Sequence, residues 1–145
     1  MKIFKAELWN LDALLSLFEQ YRLTHNMIEN PERTLIFLSN RIRFSESIFF
    51  LAVDNQQNPV GFIQLYPRFS SLQLQRYWQL NDIFVKNTQN KSEIYTALIA
   101  KAKEFVSYTQ STLLVMEQNL QQPELLIREG FKLNRQKSIF ELNLI

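Results

Sequence analysis

Asp82, with Asn81 beside it, is a carboxylate that could accept a proton at the start of the apolar run Ile83-Phe84-Val85. The competing reading is a strand-end carboxylate bonded to neighbouring backbone, and that arrangement is the commoner one. Tyr21 and Arg22 stand together near the end of a helical stretch. An arginine there could grip a carboxylate bidentately, or its stem could simply cover the helix end. His25 follows them as the one histidine of the chain and reads as a solvated loop residue rather than a catalyst. Lys91 could meet a phosphate as a point charge; an exposed lysine at a helix start is the favoured alternative.

What is missing narrows the chemistry further. The 145 residues contain no cysteine, which excludes disulfides, thiolate metal sites and cysteine nucleophiles. A single histidine argues against histidine-rich metal sites, so no metal is expected. The only glycines are Gly61 and Gly130, too few for a glycine-rich phosphate loop of either the dinucleotide or the triphosphate type. Sixteen basic and fourteen acidic side chains leave a net charge of +2. With no basic stripe interleaved with aromatics, nucleic acid is not expected as a partner. No apolar run reaches the roughly 18–20 residues of a membrane span, and Met1–Asn10 lacks the apolar core of a signal peptide. No membrane association is expected, and a cytoplasmic location is the default. The length suits one domain, residues 1–145.

These residues must be carried by elements, which periodicity predicts. Lys2 to Leu8 alternates as a short strand, and Asn10 is a candidate cap for a helix running to about Thr24. Asn30-Pro31-Glu32 signals a second helix, to about Phe44. Ser47–Val53 and Val60–Tyr66 flank a polar turn and read as a hairpin, with Pro67 ending the second strand. Leu72–Lys86 reads as a long third strand. A helix marked by Ile94, Leu98, Ala102 and Phe105 runs to about Tyr108. Thr112–Met116 is a short buried strand, and Pro123 opens a helix that Gly130 closes. Phe131–Leu133 and Ser138–Leu144 suggest a final hairpin. The order is β-α-α-β-β-β-α-β-α-β-β, an α/β domain whose sheet must be mixed. Phe49, Phe50, Phe62 and Phe84 fall at core spacing.

At this point the residues resemble a family. Glu46–Asp54 (ESIFFLAVD), Pro59–Ser71 (PVGFIQLYPRFSS), Asn81–Val85 (NDIFV) and the REGF ending at Phe131 resemble the GNAT N-acetyltransferases, across nearly the whole chain. The resemblance implies a GNAT-type mixed sheet and transfer of acetyl from acetyl-CoA to an amine. It places the pantetheine arm along Ile83, Phe84 and Val85, with Met116 and Glu117 across a split between two strands. It places the pyrophosphate at the following helix start, in the window Asn90, Lys91, Ser92, Glu93, Ile94 and Tyr95. Asn119 matches an asparagine that helps hold the cofactor arm in relatives. Tyr21 and Arg22 fall near the acceptor cleft, and Asp82 becomes a candidate base for the incoming amine.

The chain departs from the family pattern in the phosphate window, where Glu93 and Tyr95 replace small residues that let backbone approach phosphate. A Glu93 carboxylate about 4 Å from a phosphate in a surface cleft would repel it by about 4 kcal/mol before screening. Half of that weakens binding more than about tenfold. The usual position of the general acid, a tyrosine, corresponds to Leu126, which cannot donate a proton. The expectation is therefore a GNAT-like protein whose acetyl-CoA binding and transfer are weak or lost. A working N-acetyltransferase with a non-standard phosphate loop is the first alternative, with Tyr95 as a relocated acid and a small-molecule amine or peptide as acceptor. A non-catalytic ligand-binding module is the second. The alternating C-terminus, Ser138–Ile145, leads to the expectation of a homodimer.

Overall fold

The computed structural model describes residues 1–117, 123–134 and 140–144. Strand β1 (Lys2–Lys5) is followed by a 3-10 turn at Leu8–Asn10, then by helices α1 (Leu11–Thr24) and α2 (Pro31–Arg43). Strands β2 (Ile48–Val53), β3 (Pro59–Ser70) and β4 (Gln75–Val85) follow, then helix α3 (Lys91–Tyr108), strand β5 (Leu114–Val115) and helix α4 (Pro123–Arg128). The order through α4 is the one read from periodicity. The sheet runs β1-β2-β3-β4-β5, antiparallel as far as β4 and parallel between β4 and β5. The parallel pair needs a crossover, and α3 supplies it.

Apolar side chains on both faces of the sheet explain why helices cover both. On one face Phe50, Ile63, Leu65, Trp78 and Leu80 pack against Ile94, Leu98, Ile99, Ala102 and Val106 of α3. On the other, Phe49, Leu51, Val53 and Phe62 meet Leu14, Leu17 and Phe18 of α1 and Leu38 of α2. Each fully buried side chain of this kind stabilises by about 1.5–3 kcal/mol.

The helix signals act locally. The Asn30 side chain accepts from the Arg33 N–H at 3.2 Å, and Pro31 occupies the first helical position. After α4, Phe131 N–H donates to the Leu126 carbonyl and Gly130 N–H to that of Ile127, both at 3.0 Å, with Gly130 at φ +97°. That pair of hydrogen bonds and the left-handed glycine form a Schellman closure.

Several expectations change. β1 stops at Lys5, and Asn10 spends its side-chain oxygen on the Glu7 N–H (2.9 Å), so it stabilises the 3-10 turn rather than the first turn of α1. β3 runs through Pro67 to Ser70. Past Leu65 it has no β2 partner, and such one-sided positions tolerate a missing N–H. The third strand begins at Gln75, not Leu72. The expected final hairpin includes residues 135–139, outside the described residues, and neither 131–134 nor 140–144 forms a strand.

Candidate active site

The site is built from a register irregularity and a divergence of strands. Gln64 of β3 pairs with Asp82, but the next residue, Leu65, pairs with Leu80. Asn81 therefore has no partner: it is a one-residue bulge in β4. A one-residue shift turns every later side chain to the opposite face. Leu80 packs toward α3. Asp82 instead reaches α1, where its Oδ1 accepts a 2.6 Å hydrogen bond from the Tyr21 hydroxyl. Asn81 Nδ2 donates to the other oxygen, Oδ2, also at 2.6 Å.

The divergence follows immediately. β5 pairs with β4 only at Trp78–Leu114 and Gln79–Val115. Beyond that, the β4 edge from Leu80 to Val85 has no partner strand among the described residues. A cleft of about 180 Å³ opens there, lined by Tyr21, Thr24, His25, Ile83, Phe84, Val85, Lys91, Tyr95, Met116 and Leu126. Helix α1, strand β4, the first turns of α3, the end of β5 and helix α4 thus all contribute to one wall.

Tyr21 is fixed among rings. It meets Phe18, His25 and Phe62 edge-on and Phe84 at a tilt, with centroids 4.8–6.0 Å away. Burial, then the charge and hydrogen bond of Asp82, push its phenol far above the ordinary value of 10.0, so it stays protonated. Burial, then the charge of Glu129, likewise raises Tyr95. Tyr66, half-buried on β3, is raised by burial and then by the Asp82 charge.

Of the residues singled out in the sequence, the cleft brings together Tyr21, Ile83, Phe84, Val85, Lys91 and Tyr95, with Asp82 bound to Tyr21 behind them. Ile94 is buried against the sheet. Ser92 and Glu93 lie exposed on the first turn of α3, and neither lines the cleft. Asn90 caps α3 only through its carbonyl, which accepts from Ile94 N–H; its side chain accepts from Thr88. Asn119 lies outside the described residues. Arg22 does not line the cleft: its Nη1 donates to Glu19 at 3.2 Å and to the Ile28 carbonyl at 3.0 Å. His25, expected in a solvated loop, ends α1 and forms part of the cleft wall.

Arg128 went unnoticed in the sequence. Its Nη2 donates to Ser92 Oγ at 3.1 Å and Thr96 Oγ1 at 3.3 Å, which sets a guanidinium on the first turns of α3. Nothing in local sequence pattern could have revealed a contact spanning 36 residues. Among the described residues, no three His, Cys, Asp or Glu side chains are grouped to hold a metal ion, and no helix is long and apolar enough to cross a membrane.

No family model matches the chain. A probable acetyltransferase of Haemophilus influenzae is 58% identical over 144 residues, 99% of each chain. An uncharacterized N-acetyltransferase of Bacillus subtilis, YhfO, is 30% identical over 117 residues, 81% of this chain and 78% of that one. A crystal structure of a probable acetyltransferase superposes with a TM-score of 0.92 at 32% identity, covering 100% of this chain and 99% of the other.

Proposed function

The chain belongs to the GNAT family of N-acetyltransferases, and from that premise we propose that it is a working enzyme that moves acetyl from acetyl-CoA to an amine. The observation that carries this reading is the cleft at the β4 edge that has no partner strand among the described residues, with Tyr21 on its wall and Asp82 bound behind it. An unpaired strand edge offers backbone N–H and C=O groups to an extended amide-bearing chain such as pantetheine. Ile83, Phe84 and Val85 supply that edge. Acetyl-CoA brings an activated thioester; everything else is the task of this chain's residues.

The first turn of α3, whose N–H groups lack acceptors within the helix, suits the pyrophosphate. Lys91 in the cleft wall and Arg128 over Ser92 bring two cations there. Glu93 is exposed beside the cleft rather than in its wall, so its repulsion is screened by solvent. Asp82 serves as base for the amine, which arrives from the side of α1 and α2. The acceptor is a small-molecule amine or a peptide amine.

Slow transfer is the second reading, and Leu126 favours it. It lines the cleft at the position where the family resemblance places an acidic tyrosine. Pairing of two copies belongs to the same proposal and is supported by Phe140, Leu142 and Leu144, all at least 82% exposed. Light scattering at high micromolar concentration gives twice the monomer mass if it holds.

The deciding experiment is thiol release from acetyl-CoA across a panel of amines, polyamines, amino acids and peptides. Turnover above about one per second on any of them supports the working enzyme. Turnover far below that on every amine, with acetyl-CoA bound, selects the slow reading. No thermal stabilisation by millimolar acetyl-CoA removes both.

A further inference from the structure

We propose that Tyr21 is the acid that protonates the departing sulfur, and that Asp82 reloads it, so that one proton passes from amine to thiolate through a two-residue relay. The inference rests on the acetyl-transfer reading above and deepens it. Three observations carry it. Leu126, at the position the resemblance reserves for the acid, has no proton to give, yet it shares a cleft wall with Tyr21. The Tyr21 hydroxyl is 2.6 Å from Asp82 Oδ1, a distance across which a proton can move. The bulge at Asn81 turns Asp82 toward α1, and Asn81 Nδ2 anchors its second oxygen.

The balance closes without any further reactant. A neutral amine nitrogen bonds to the acetyl carbon and the carbon–sulfur bond breaks, its electron pair leaving on sulfur. Asp82 takes the proton that the nitrogen must lose. Tyr21 gives its hydroxyl proton to the sulfur and recovers one from Asp82 across their hydrogen bond. Both side chains end as they began. The Asp82 charge that helps keep the phenol protonated is cancelled when Asp82 takes the amine proton, which makes Tyr21 the stronger acid at the moment the sulfur leaves.

Tyr95 is the competing acid, since its phenol also lines the cleft. It lies on α3, and its neighbouring charge is Glu129 rather than Asp82.

The test uses the full chain, acetyl-CoA and the amine that turns over fastest in the panel. Tyr21→Phe lowers kcat by about a hundredfold or more, leaves KM for acetyl-CoA within about twofold, and leaves calorimetric acetyl-CoA binding unchanged. Tyr95→Phe lowers kcat less than about fivefold. Fluorotyrosine placed at 21, a more acidic phenol, restores most of the rate and brings a basic limb of the kcat–pH profile into reach. Its fluorine resonance titrates with that same limb, and Asp82→Asn shifts it to lower pH. A purely structural role for Tyr21 gives no such limb. Turnover of Tyr21→Phe equal to the parent, or a limb that follows Tyr95 instead, overturns the relay and leaves acetyl transfer standing. Absence of turnover with every amine overturns both.

Discussion

Gly61 lies so close to β4 that a Cβ added to it would meet the Phe84 carbonyl oxygen at 2.8 Å. Leu98 and Val85 would each be 3.3 Å from the same atom. Gly61 pairs with Val85, so this contact sits behind the stretch of β4 whose other edge borders the cleft. The glycine is required by close approach, not by a left-handed turn.

Gly61→Ala should therefore destabilise the fold by about 1–3 kcal/mol, because a backbone oxygen must give way. It should also weaken acetyl-CoA binding, since the displaced segment is the edge proposed above to pair with its pantetheine arm. Thermal denaturation with and without acetyl-CoA checks both effects: a lower midpoint alone, and a smaller stabilisation by the ligand.

Glu19 is buried between α1 and α2, accepting from the Thr34 hydroxyl, from Asn30 N–H at 3.0 Å and from Arg22 at 3.2 Å. Burial alone would raise its carboxyl, but those hydrogen bonds outweigh it and hold the group below its ordinary 4.5. A depressed folded value means the contribution is complete above pH 4.5 and is lost as the pH falls through the lower folded value. Glu19→Gln should cost about 1–3 kcal/mol at neutral pH. It should also flatten the acid limb of stability, measured by urea unfolding at pH 7 and near pH 4.

At the phosphate end, Lys91→Ala and Arg128→Ala should each raise KM for acetyl-CoA about three- to tenfold with kcat nearly unchanged, the signature of uniform binding. Glu93→Gln should lower it by less than about threefold, because an exposed charge is screened. A tenfold gain from Glu93→Gln would restore the repulsive reading of that residue.

Leu126→Tyr tests where acid is lacking. With Tyr21 already donating, the substitution should change kcat by less than about threefold. A rise of tenfold or more, toward the roughly hundredfold or greater that general acids supply, would assign the acid to position 126 and not to 21.

Residues whose partners are near in sequence were legible. Asn30-Pro31-Glu32 started α2 and Gly130 closed α4, because caps are satisfied within a few residues of chain. The family motifs also mark Ile83, Phe84, Val85, Lys91 and Tyr95, and all five line the cleft. Pro67 misled because proline forbids only a donated ladder bond, and whether a strand has a second neighbour is not a local property. Alignment gives Glu93 its position in the phosphate window but not its exposure, which depends on how α3 docks.

Sequence by itself determined the α/β order through α4 and the family, since each follows from periodicity, capping or shared motifs carried along the chain. Tertiary structure alone decided that Asn81 goes unpaired, and with it which way Asp82 faces. It alone brought Tyr21 within 2.6 Å of Asp82 across 61 residues, drew Arg22 away to Glu19, and set Arg128 on the first turns of α3. The physical reason is the same in each case. Register and docking are settled by which long-range pairing buries the most apolar surface and leaves no buried polar group unmet, and no local window contains both partners.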